Sequence, residues 1–120
     1  MNLKCVRPAC LALLAGMFVM PVAASAQSLA GQVGDQRYST NFTYMKGPCK
    51  KAFQDYVKAP GHSAYTQTHR GRMTQAVFCG RAFNAPSKKE AERRALIDCQ
   101  SVFKLYKLKP TGPCTVYASK

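Results

Sequence analysis

Four of the six cysteines in this chain of 120 residues lie beyond residue 26, and they constrain the possible fold more than any other feature. Residues 1–26 resemble a secretory signal peptide, because Lys4 and Arg7 accompany an apolar segment and the small residues 24–26 form a cleavage site. Removing them leaves 94 residues with four cysteines: Cys49, Cys79, Cys99 and Cys114. An even number of cysteines in an exported domain of this size indicates two disulfides. We therefore predict a periplasmic or secreted protein without a transmembrane segment after signal cleavage.

Metal binding is the rival use of four cysteines. Successive cysteines are separated by 30, 20 and 15 positions, and the chain contains no Cys-x-x-Cys pair. Structural zinc sites usually take ligands from such close pairs, and redox-active cysteines usually form them as well. The spacing therefore favours structural disulfides, and we predict no metal and no cofactor.

The first half of the exported chain predicts a polar leader, a short helix and a hairpin. Residues 27–45 are the leader, in which alternation over 38–44 allows an edge strand, and residues 46–120 are the folded domain. Pro48 suits the first turn of a helix, which Pro60 and Gly61 end. Two β-rich runs follow, and we expect residues 62–68 to pair with 73–83 around the turn at 70–72.

The second half predicts one long amphipathic helix and a terminal strand. Ser87 and Glu90 have the spacing of a capping box. After them, one apolar stripe recurs at helical period: Ala91, Ala95, Leu96, Cys99, Val102, Phe103 and Tyr106. Glu92 interrupts that stripe. Pro110, Gly112 and Pro113 end the helix, and residues 114–118 form a strand. The predicted class is α+β, in the order helix, β-hairpin, long helix, strand.

Sequence leaves the disulfide pairing open among three possibilities. A terminal strand packed back on the long helix would bring Cys114 to Cys99 and leave Cys49 to Cys79. The helix pattern Ser-x-x-Glu-Ala-x-x-x-Ala-Leu-x-x-Cys, followed by Cys-x-x-Tyr-Ala, resembles small exported alphaproteobacterial modules of unknown function. That resemblance covers residues 53–118, implies an α+β fold and favours the Cys99–Cys114 pair. It implies no catalytic residue.

The charge of the chain predicts an anionic partner. Of 18 lysines and arginines, Lys4 and Arg7 fall in the signal segment, which leaves 16 against five acidic residues and a net charge of +11. Such an excess attracts polyanions, although a charged helix face can also be merely solvated. The candidate anion-binding residues are Lys89, Arg93, Lys104 and Lys107, with Arg70 and Arg72. We expect the partner to be lipopolysaccharide, a glycan, nucleic acid or a membrane surface; the alternative is an acidic protein surface.

Catalysis has little support in the sequence, and we predict a non-enzymatic protein. A small basic nuclease is a remote alternative, since paired histidines can perform acid–base catalysis. However, His62 and His69 are seven positions apart on one predicted strand, where odd separations point to opposite faces.

Overall fold

The computed structural model describes residues 27–40, 47–69, 77–106 and 112–120. Within them the chain has the predicted α+β architecture, with two helices and one antiparallel sheet of four strands. The elements are β1 Asp35–Gln36, α1 Pro48–Lys58, β2 His62–Thr68, β3 Cys79–Ala85, α2 Lys88–Tyr106 and β4 Cys114–Ser119. The pairing of β2 with β3 is confirmed. Val77 and Phe78 precede β3 without strand structure, and residues 70–76 of the predicted hairpin lie outside the described part.

The strand order β1-β4-β2-β3 makes the terminal strand an inner strand of the sheet. β4 pairs with β2 on one side and with the short β1 on the other. The leader thus supplies its strand at Asp35–Gln36, ahead of the predicted residues 38–44, of which 41–44 lie outside the described part. Contacts along the leader explain this position: the Tyr56 hydroxyl donates to the Val33 carbonyl at 2.6 Å, and the Arg37 N–H donates to the Tyr117 carbonyl at 2.8 Å.

The two helices lie on opposite faces of the sheet, as consecutive residues of β3 show. Cys79 is bonded to α1, the backbone of Gly80 lies against α2, and the Arg81 guanidinium binds Asp55 of α1 at 3.2 Å. Alternation along a strand requires this arrangement. On the α2 side, Ala91 and Ala95 are fully buried against small strand residues, so the helix approaches the sheet closely.

Aromatic residues fill the other face of the sheet, beneath α1. Tyr56, Tyr65 and Tyr117 are buried there together, and Phe53 packs edge-on to Tyr65 with ring centroids 5.3 Å apart. The Tyr65 hydroxyl donates to the Gln67 side-chain oxygen at 2.8 Å, which satisfies both polar groups inside the core. Burial raises the pKa of Tyr65 far above its ordinary value, so the phenol stays neutral.

Both predicted disulfides are confirmed, and each joins a helix to a strand. Cys49–Cys79 links α1 to β3, and Cys99–Cys114 links α2 to β4, with Cα–Cα distances of 5.7 and 6.1 Å. The favoured pairing among the three possibilities is therefore the observed one. Because each helix has its own cross-link, both layers of the domain are covalently fixed to the sheet.

Two features of α2 differ from the sequence pattern. Tyr106, assigned to the apolar stripe, is 64% exposed, although its ring lies near Phe78 with centroids 6.4 Å apart. Glu92, which interrupts the stripe, accepts hydrogen bonds from Arg37 at 2.8 Å and from the Ser119 hydroxyl at 2.6 Å. These bonds connect the leader, the long helix and β4 through one carboxylate.

Candidate anion-binding face of the long helix

The structure places three of the predicted anion-binding residues on the solvent side of α2. Lys89, Arg93 and Lys104 are all exposed. At about 100° per residue they lie opposite the buried residues of the same helix. The other three predicted residues, Arg70, Arg72 and Lys107, lie outside the described part of the chain. We use the name α2 face below for Lys89, Arg93 and Lys104.

Arg93 differs from its prediction, because it has an acidic partner. Its guanidinium forms two hydrogen bonds to the Glu90 carboxylate at 2.7 and 2.9 Å, and Arg94 adds a third at 2.7 Å. Residues three and four apart face each other on a helix, so this pairing is a local consequence of the sequence. The capping box is therefore only half formed: the Glu90 N–H donates to the Ser87 hydroxyl at 3.1 Å, while its carboxylate binds the two arginines.

Every acidic residue is already engaged. Among the described residues, ion pairs join Asp35 to Lys88, Asp55 to Lys51 and Arg81, Glu90 to Arg93 and Arg94, and Glu92 to Arg37. Asp98 accepts a hydrogen bond from the backbone N–H of Arg81 at 2.9 Å. Four of the five carboxylates therefore connect different parts of the fold, whereas Glu90 binds within α2, and none is left without a partner.

Four exposed lysines form no ion pair within the described part of the chain: Lys50, Lys58, Lys89 and Lys104. Lys120 is different, because it is buried and donates to the carbonyls of Leu29 and Val57 at 2.8 and 2.9 Å. Burial lowers the pKa of Lys120. On the described surface, the exposed cations without an ion pair are thus two lysines of the α2 face and two of α1.

The Glu90 cluster predicts a defined pH dependence. Hydrogen bonds from Arg93 and then Arg94 lower the pKa of Glu90 from 4.5 to about 2. Because its pKa is lower in the folded state, the ionised Glu90 carboxylate adds to the free energy of unfolding above pH 4.5. This contribution is lost as the pH falls toward 2. We expect Glu90→Gln to lower the melting temperature at pH 6 and to match the wild type at pH 2. Thermal unfolding followed by circular dichroism checks this; a difference independent of pH would contradict it.

The two histidines do not form a catalytic pair. His62 begins β2 and His69 follows its last residue, so they are separated by about 23 Å along an extended strand. His69 Nδ1 lies 2.9 Å from the Tyr117 hydroxyl, and the His69 ring packs against Tyr38 with centroids 5.0 Å apart. The two imidazoles therefore do not meet at one site within the chain, and the nuclease alternative stays an untested prediction.

The chain shows no match to known proteins that would assign a site. No protein-family model, no curated protein and no solved structure matches it. The described ranges contain no group of three or more His, Cys, Asp or Glu side chains placed to hold a metal ion. No helix in the same ranges is long and apolar enough to span a membrane. The charges and surfaces of the molecule itself must therefore carry any functional conclusion.

Proposed function

We propose that this is an exported, non-enzymatic binding protein whose α2 face engages an anionic polymer or surface, such as lipopolysaccharide, a glycan or nucleic acid. One observation carries the proposal: all five acidic residues have partners, yet Lys89 and Lys104 are exposed without an ion pair among the described residues. The two disulfides support the export that the signal-like segment predicts, since they persist in oxidising compartments.

The physical basis of binding is electrostatic attraction with release of counterions. Uncompensated positive charge raises the local concentration of anions and accelerates their association. Contact with phosphate groups releases bound counterions, so the affinity falls as the salt concentration rises. Arg93 contributes through its positive charge, although its pairing with Glu90 partly offsets that charge. Lys89 and Lys104 are therefore expected to contribute most.

Neutralising these two lysines tests the proposal. We expect Lys89→Gln/Lys104→Gln to weaken binding to phosphatidylglycerol-rich vesicles roughly thirtyfold, because each lysine near an anionic surface contributes about 1 kcal/mol. Sedimentation of the protein with vesicles, compared with phosphatidylcholine vesicles, provides the measurement. Circular dichroism verifies that the double variant keeps its fold.

Lys50→Gln/Lys58→Gln is the matched control. It removes the same net charge from α1, and each pair contains one lysine near a helix start and one near a helix end. We expect this control to lose less than about fivefold, because its lysines lie off the α2 face. Equal losses in the two double variants would show that net charge alone governs binding, and would overturn the assignment of the face.

A further inference from the structure

A second surface of the molecule is an apolar cleft of about 440 Å³, lined by the first turn of α1, the start of β3 and the last turn of α2. It lies beside the Cys49–Cys79 disulfide, which joins α1 to the outer strand of the sheet. Its lining includes Cys49, Phe78, Cys79, Val102, Leu105 and Tyr106. None of the described residues that line it carries a charge. On α2, Val102 and Tyr106 lie on the side opposite Lys104, so this cleft is separate from the α2 face.

The rim of the cleft is unusually apolar for an exposed helix end. Leu105 is 76% exposed and Tyr106 is 64% exposed, and both line the cleft. Large side chains next to a concave apolar surface are typical of protein-binding sites, where tyrosine is enriched. Exposed apolar residues usually occur singly on a protein surface, whereas two large ones are adjacent at this helix end.

The floor of the cleft presents backbone polar groups as well. β3 is the outer strand of the sheet, and the Arg81 N–H points away from β2 toward Asp98. The register is regular from Cys79 to Ala82, so the N–H and C=O of Cys79 point outward too. An outer strand can pair through such groups with an added extended segment. A peptide backbone supplies matching donors and acceptors, whereas a hydrocarbon chain supplies none.

Charge decides which kind of segment fits. The exported chain has a net charge of +11, so a second copy of it would be repelled, whereas an acidic segment would be attracted. Lys50, next to Cys49 in the sequence, is exposed without an ion pair among the described residues. We propose that the cleft binds a short extended segment of a partner protein that alternates apolar and acidic residues. Its backbone pairs with Cys79, and its apolar side chains enter the cleft.

An array of synthetic hexapeptides tests this proposal. The peptides alternate leucine or phenylalanine with aspartate, and matched sets carry serine or lysine in place of aspartate. We expect the aspartate set to bind, the lysine set not to bind, and the amide NMR signals of Cys79 and Leu105 to shift. The proposal would be overturned if none of the aspartate peptides bound at millimolar concentration. Equal binding of the lysine set and the aspartate set would overturn it as well.

A pair of truncations on α2 locates the binding surface. Leu105→Ala is expected to weaken peptide binding at least tenfold, whereas Ile97→Ala is expected to change it less than twofold. Both side chains are large, apolar and exposed on α2, but only Leu105 lines the cleft. Equal effects would overturn the proposal, as would a Leu105→Ala variant that loses vesicle binding but keeps peptide binding. Lys89→Gln/Lys104→Gln should keep peptide affinity within threefold, so this proposal and the α2-face proposal can fail separately.

Discussion

Replacing Cys99 and Cys114 together by alanine is expected to lower the free energy of unfolding by about 3 kcal/mol. The bond closes a loop of 15 positions, and a cross-link of that length restricts the unfolded chain by about this amount. Cys99 is fully buried against the sheet, so the substitution also removes packing. Urea denaturation followed by circular dichroism measures the change.

The second disulfide supplies the comparison. Cys49–Cys79 closes a loop of 30 positions, so Cys49→Ala/Cys79→Ala is expected to cost about 4 kcal/mol in the same assay. Adding a reductant to the wild-type protein should destabilise it at least as much as either double variant. A Cys99→Ala/Cys114→Ala variant as stable as the wild type would contradict the role of this bond in holding α2 to β4.

Gly80→Ala is expected to destabilise the fold by about 3 kcal/mol. A Cβ atom at this position would lie 2.2 Å from the Cys99 backbone nitrogen and 2.4 Å from the Ala95 carbonyl oxygen. Both atoms belong to the backbone of α2, so the whole helix would have to move away from the sheet, and overpacking of this kind costs one to several kcal/mol. Urea denaturation again provides the measurement.

The sign of the Gly80 effect makes it informative. Alanine normally stabilises a strand relative to glycine by roughly 0.5–1 kcal/mol, because glycine loses more conformational freedom on folding. Gly112→Ala is the control, since among the described residues no atom beyond its own chain neighbours lies within 4 Å of its added Cβ. We expect that variant to be neutral or slightly stabilised. A Gly80→Ala protein that gains stability would show that α2 does not approach the sheet this closely.

The sequence predicted the regular elements because their signals are local. Pro48 begins α1, the Ser87 hydroxyl caps α2, and helical periodicity selected Ala91, Ala95 and Cys99, all of which are fully buried. β1 escaped prediction because two polar residues carry no periodic pattern. Its pairing depends on Ser119 and Ala118, more than 80 positions away.

The candidate site was predicted less completely, for two different reasons. The ion pair between Arg93 and Glu90 could have been predicted from the sequence, because opposite charges three positions apart on a helix normally meet. The exposure of Tyr106 could not, because periodicity identifies the face of a helix but not where the sheet beneath it ends. The partners of Glu92 also depend on the tertiary fold, since Arg37 and Ser119 are distant in sequence.

The salt dependence of binding to a defined duplex DNA tests the α2-face proposal most directly. Each contact with a phosphate contributes about 0.9 to the slope of log affinity against log salt concentration. We predict that Lys89→Gln/Lys104→Gln lowers the magnitude of this slope by roughly 1.8 relative to the wild type, while Lys50→Gln/Lys58→Gln changes it by less than about 0.5. Equal slopes for the wild type and the Lys89→Gln/Lys104→Gln variant would contradict the proposal.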